Sequence, residues 1–83
     1  MKVTVRYFAS VREAMGVGTE QLDTQATTLA VLRAELVARG GAGAEALAPG
    51  RAVRMALDQV MSPEFAPLTP GCEVAFFPPV TGG

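Results

Sequence analysis

From Lys2 to Phe8 the chain alternates, with Val3, Val5 and Tyr7 on one side and Lys2, Thr4, Arg6 and Phe8 on the other. A period of two with β-branched residues predicts a half-buried strand. Ser10 offers an N-cap for a short helical turn over Val11 to Met15, which Gly16 and Gly18 stop. Thr19 to Asp23 reads as a second strand returning along the first, with Leu22 its strongest apolar residue. The period then lengthens. Leu29, Leu32 and Leu36 recur at three and four residues with Val37 widening the stripe, so Thr28 to Arg39 predicts an amphipathic helix. Thr27 or Thr28 supplies its cap, Glu35 and Arg39 have the spacing of an i,i+4 ion pair, and Gly40-Gly41 ends it. Ala44 to Ala48 adds one turn before Pro49-Gly50.

Beyond that turn the period is two again: Val53, Met55 and Leu57 alternate with Ala52, Arg54 and Ala56, a third strand, and Val60-Met61 form a brief edge piece. Pro63, Pro67 and Pro70 make the stretch from Ser62 to Gly71 a loop. Glu73 to Phe77 is the last strand, with Val74 and Phe76 inward, and Pro78-Pro79 stops it. The order β-β-α-β-(β)-β has one striped helix and several one-sided strands. It closes most economically as a mixed sheet of four to five strands across one main helix, an α+β fold of the ubiquitin-like β-grasp kind. Residues 1–77 then form the domain and 78–83 an extended C-terminal tail.

Composition narrows the chemistry. Eighty-three residues allow one core. Seven Lys+Arg against eight Asp+Glu, a net charge of -1, give no electrostatic reason to bind nucleic acid or an anionic membrane. With no His, catalytic triads and His-ligated zinc sites are excluded. The one cysteine, Cys72, forms no CxxC pair and reads as a small packing residue; a domain without cross-links fits the cytoplasm. No signal peptide and no membrane span is expected. The glycines lack the spacing, Lys and Ser/Thr of a phosphate loop, and Glu13, Glu20, Asp23, Arg51 and Arg54 read as solvated surface.

The tail carries the information. From Val74 to Gly83, VAFFPPVTGG, there is no charged side chain. Pro78-Pro79 favours an extended path away from the domain. Val80, Thr81, Gly82 and Gly83 follow, and a Gly-Gly end is narrow enough to thread a channel that larger residues would block. A terminal carboxyl with a pKa of roughly 3.3–3.7 is ionised at neutral pH and is a poor electrophile for attacking nucleophiles. Its use as a carried acyl group requires activation as an acyl adenylate, after which a sulfur or amine donor can attack. If the first and last strands are neighbours, Phe8 and Phe77 form an aromatic patch beside this tail, and Met61 joins from the edge; aromatics and Met are typical interface anchors.

KVTVRYFASVRE, TLAVLRAEL and above all GCEVAFFPPVTGG make the whole chain resemble the small, sulfur-carrier subunits of molybdopterin synthase, relatives of the thiamine sulfur carrier and more distantly of ubiquitin. The resemblance implies that a ubiquitin-activating-like adenylyltransferase uses ATP to adenylate Gly83 and that a sulfur-transfer protein converts it to a thiocarboxylate. The tail then enters the large synthase subunit and delivers sulfur to cyclic pyranopterin monophosphate, within a heterotetramer of two large and two small subunits. No cofactor or metal is expected on this chain, and catalytic side chains are expected on the large subunit. Phe8, Met61 and Phe77 match positions that contact the large subunit, and Gly82 keeps the approach to Gly83 unhindered. Two departures from the family pattern are Cys72 in a Gly-Asp-Glu position and Asp58 where Asn is common. Sulfur carriage for thiamine or tRNA thiolation, and ubiquitin-like attachment to lysines, remain open as alternatives.

Overall fold

A computed structural model describes residues 1–79 of the chain; Val80, Thr81, Gly82 and Gly83, with the expectations that fall on them, lie outside the described residues. Eight elements follow one another: β1 (Lys2–Tyr7), α1 (Ala9–Met15), β2 (Thr19–Asp23), α2 (Leu29–Ala38), α3 (Ala42–Leu47), β3 (Arg54–Leu57), β4 (Val60–Met61) and β5 (Glu73–Phe77). The five strands form one mixed sheet in the order β2-β1-β5-β3-β4, in which β1 and β5 run parallel and every other pair is antiparallel. This is the β-grasp architecture anticipated from the element order.

The central pair sets the core. Val3, Val5 and Tyr7 on β1 and Val74 and Phe76 on β5 are essentially inaccessible, as are Leu29 and Leu32 on the stripe of α2. Tyr7 and Phe76 face one another in register and their rings stack at 6.2 Å. Ala75, on the other face of β5, is also buried, because its small side chain lies between Ala56 and Arg6 on the neighbouring strands. Cys72 is buried, as its packing role requires.

The helix ends show how local signals and tertiary partners divide the work. Thr28 Oγ1 accepts from the Val31 amide at 3.3 Å, while the carbonyls of Ala66 and Glu64 accept from the amides of Leu29 and Ala30. The proline-rich loop thereby satisfies donors that a helix start leaves open. At the other end Gly40, at φ +76°, returns its amide to the Val37 carbonyl. The turn between β3 and β4 places Asp58 and Gln59 at φ +50° and +68°, the left-handed pair that suits a two-residue hairpin. Asp58 suits this position because Oδ1 accepts from the Glu73 amide at 2.9 Å, while its own amide donates to the Glu73 carbonyl at 2.8 Å.

Three expectations are corrected. The first strand stops at Tyr7, and Phe8, not Ser10, stands at the N-cap of α1 without a side-chain cap. The reason is that the Phe8 amide is still tied to the Phe76 carbonyl at 3.1 Å, while its own carbonyl accepts from Val11 and Arg12. Secondly, Glu35 and Arg39 do not pair. Arg39 makes a two-pronged contact with Glu20 at 3.0 and 3.1 Å, where Tyr7 also donates its hydroxyl at 2.8 Å, and Glu35 instead accepts from the Thr24 hydroxyl. The sheet edge offers Arg39 a carboxylate already held by a buried phenol, which outcompetes a neighbour on its own helix. Thirdly, Glu20 is not merely solvated but half-buried in that cluster, whereas Arg51 is exposed as expected, its Nε donating to the Glu45 carbonyl at 3.1 Å.

Glu20 is held below its ordinary value of 4.5, chiefly by the Arg39 hydrogen bonds and further by the Tyr7 hydroxyl, with burial opposing. A carboxyl whose folded value is depressed stabilises the fold above the unfolded value and loses that contribution as pH falls through the lowered one. Urea unfolding at a series of pH values is therefore expected to show stability falling below about pH 4.5, with a shallower acid-side slope in Glu20→Gln. Equal slopes in the two proteins would contradict this.

Candidate functional site

The sheet has an outward face, away from α2, and registers place its residues. Arg54 pairs with Phe77, and Met61, Ala56, Ala75 and Arg6 form a continuous row across β4, β3, β5 and β1. Phe8 follows Tyr7, so its side chain emerges on the same outward side. Its ring meets Phe77 edge-to-face, with centroids 6.5 Å apart and planes at 85°. Arg6 lies over the Phe8 ring, 5.2 Å from its centroid, and its guanidinium is 3.9 Å from the Glu73 carboxylate. Arg6 and Glu73 thus sit beside the aromatic pair, which stays accessible: Phe8 is 39% exposed and Phe77 half-buried.

Backbone constraint makes this pair possible. Phe8 is held between the last rung of the β1–β5 ladder and the first turn of α1, and Ala9 takes a left-handed φ of +51° to permit the change of direction. A non-glycine residue there costs on the order of 1 kcal/mol and persists only where its surroundings enforce it. Met61 is 57% exposed on the same face but two strands from β5, with Ala56 between. The expected trio is therefore a close pair and an outlying third member rather than one tight cluster.

Pro78 and Pro79 are half-buried as the chain leaves β5. Pro78 lines a groove of about 530 Å³ with Ser10, Val11 and Ala14 of the α1 region and Ala42 and Ala46 of α3. The root of the tail thus lies between the aromatic pair and the α1–α3 side. Those helices approach closely at Gly43, where a Cβ would meet Met15 Sδ, so a larger residue there requires the Met15 side chain to move. Among the described residues no group of three or more His, Cys, Asp or Glu could hold a metal ion, and no helix is long and apolar enough to cross a membrane.

Sequence reasoning missed two features of the surface. Phe65, in the proline-rich loop, is 78% exposed, a position that strand periodicity could not flag. Arg54 stands in register with Phe77 on the outward face, which becomes visible only once β3 is paired with β5.

A model of the ThiS family matches residues 5–83, from the first strand through the Gly-Gly end. The chain belongs to the ThiS family. Two curated relatives of this ThiS-family chain are each called molybdopterin synthase sulfur carrier subunit: one from Escherichia coli, 40% identical, and one from Haemophilus influenzae, 38% identical. Each alignment covers 98% of this chain and 99% of the relative. Among solved structures, a putative molybdopterin converting factor subunit 1 from Pyrococcus furiosus superimposes with a TM-score of 0.78 at 25% identity, covering 96% of this chain and 99% of that one. A chain from the Helicobacter pylori complex of molybdopterin-converting factor subunits 1 and 2 superimposes at 0.68 with 28% identity, covering both chains fully.

The two faces of β5 should respond differently to truncation. Phe76→Ala, which empties the core, is expected to cost about 3–5 kcal/mol in denaturant unfolding. Phe77→Ala, on the outward side, is expected to cost only about 1–2 kcal/mol. Comparable losses in both would place Phe77 in the core.

Proposed function

We propose that this ThiS-family protein is a sulfur carrier in molybdenum cofactor biosynthesis, working in the cytoplasm as the small subunit of molybdopterin synthase. Two relatives of matching length that bear that name support the pathway. The observation that carries the reading on this chain is the seating of β5. It ends on Phe77 against Phe8, on an accessible face, immediately before Pro78-Pro79 and the VTGG end.

The chemistry belongs to the carboxylate of Gly83. Attack of that carboxylate on the α-phosphate of ATP, in a ubiquitin-activating-like adenylyltransferase, forms an acyl adenylate and releases pyrophosphate. Sulfide-level sulfur delivered by a sulfur-transfer protein then attacks the acyl carbon, expels AMP and leaves a thiocarboxylate. Inside the large subunit that sulfur passes to cyclic pyranopterin monophosphate, and water replaces it on the acyl carbon, restoring the Gly83 carboxylate. The chain itself contributes positioning. Phe8 and Phe77, with Met61 further out, dock on the large subunit, and Pro78 and Pro79 start the tail in an extended direction. Val80 and Thr81 span the channel, and Gly82 leaves the carbon of Gly83 unobstructed. ATP is a reactant of the activating enzyme and not a ligand of this chain. The complex of subunits 1 and 2 from Helicobacter pylori supports a large-subunit partner.

Intact-mass analysis after incubation with the adenylyltransferase, ATP and a sulfur donor is expected to show one oxygen replaced by sulfur at the C-terminus. Deleting Gly83, or adding one residue after it, is expected to abolish that change while leaving the thermal transition in place. Persistence of the mass change in either variant would overturn the proposed chemistry.

A further inference from the structure

The outward face carries a charge as well as an aromatic pair. Arg54 opens β3 directly opposite Phe77, so the two residues are cross-strand neighbours on one face, and Arg54 is exposed. Side chains so placed have Cβ atoms roughly 4.5–5.5 Å apart. A partner that covers Phe77 must therefore also cover Arg54.

Most other arginines are already engaged within the domain. Arg6 is held by Phe8 and Glu73, Arg39 by Glu20, Arg33 by the carbonyls of Leu47, Ala48 and Arg51, and Arg51 by the Glu45 carbonyl. Arg54 makes no ion pair among the described residues. Beside it lies a groove of about 340 Å³, lined by Arg54, Met61, Pro63 and Glu64 among others, the Glu64 carboxylate being paired with Arg33 at 3.8 Å. It lies where β4, only two residues long, ends after Met61 and the chain turns into the proline-rich loop. The groove joins the expected contact at Met61 to the aromatic pair by way of the Arg54 side chain.

We propose that Arg54 and this groove are a second contact of the docking face, receiving a segment of the large subunit that presents a carboxylate beside an apolar side chain. The proposal rests on the large-subunit reading above and adds the chemistry of the partner surface. Its physical basis is desolvation. Covering an unpaired guanidinium together with Phe77 is costly unless the partner supplies an anion, and the planar fork of Arg suits a carboxylate with two parallel hydrogen bonds. The apolar wall from Met61 and Pro63 calls for an apolar neighbour to that carboxylate. Partners that present a cation or a bare apolar surface at this point are disfavoured, so Arg54 serves specificity as well as attachment.

Stopped-flow association of the full chain with purified large subunit, at low and high salt, tests this. Arg54→Glu is expected to slow association about three- to tenfold at low salt, with the gap narrowing at high salt and the thermal midpoint unchanged. Arg54→Lys should fall between Arg54→Glu and the wild type. Wild-type association rates for Arg54→Glu at both salt concentrations would overturn the proposal, as would a salt-independent loss accompanied by a lowered midpoint. Sedimentation covers a second occupant: self-association of the wild type that Arg54→Glu abolishes would place another copy of this chain on the face and also overturn it. A wild-type chain that fails to bind the large subunit at any salt concentration would overturn the large-subunit reading itself, a result distinct from a wild type that binds and a variant that binds equally well.

Discussion

The parallel pairing of β1 with β5 is the constraint from which the rest of the molecule follows. It joins the two ends of the sequence in the middle of the sheet, with Val5 opposite Val74 and Tyr7 opposite Phe76, and so builds the floor of the core that α2 covers. One rung further, the Phe8 amide binds the Phe76 carbonyl and fixes where β1 becomes α1. Because side chains alternate across a strand, the same register that sends Phe76 inward sends Phe77 outward beside Phe8. A slip of one residue would exchange the two faces, exposing the core and burying the aromatic pair.

Core and surface are thereby separated along a single strand. Val74 and Phe76 serve stability, while Phe77 meets Phe8 on an accessible face next to the root of the tail. In the proposed carrier role this separation matters, since the domain must dock and release without loosening its own core. The edge of the sheet is secured independently, by the Tyr7–Glu20–Arg39 cluster that ties β2 and the end of α2 to the centre. Burial, and then the bond to Glu20, push the Tyr7 hydroxyl upward, so it remains a donor across the physiological range.

What was legible in the sequence was what periodicity encodes. The alternation of Val3, Val5 and Tyr7, the stripe of Leu29, Leu32 and Leu36, and the inward pair Val74 and Phe76 each reported a buried face correctly. The Phe8–Phe77 contact was also legible, because it follows from those faces once the terminal strands are neighbours. Partners drawn from distant segments were not. Arg39 passes over Glu35 on its own helix for Glu20 on a strand, and Phe8 replaces Ser10 as N-cap because a ladder bond holds it there. Arg54 looked like ordinary surface until the β3–β5 register set it opposite Phe77. Spacing along the chain cannot express such choices, which depend on what the fold brings alongside.

The central claim is that the C-terminal carboxylate, once sulfurated, is the whole of the chemical cargo. Its most direct test bypasses activation. The chain is prepared chemically as the Gly83 thiocarboxylate and mixed with the large subunit and cyclic pyranopterin monophosphate, without ATP, adenylyltransferase or sulfur donor. Sulfurated pterin is expected to appear in step with conversion of the thiocarboxylate to carboxylate, and the untreated carboxylate chain is expected to give none. Sulfuration by the untreated chain, or a thiocarboxylate that binds the large subunit yet leaves the pterin unchanged, would contradict the account.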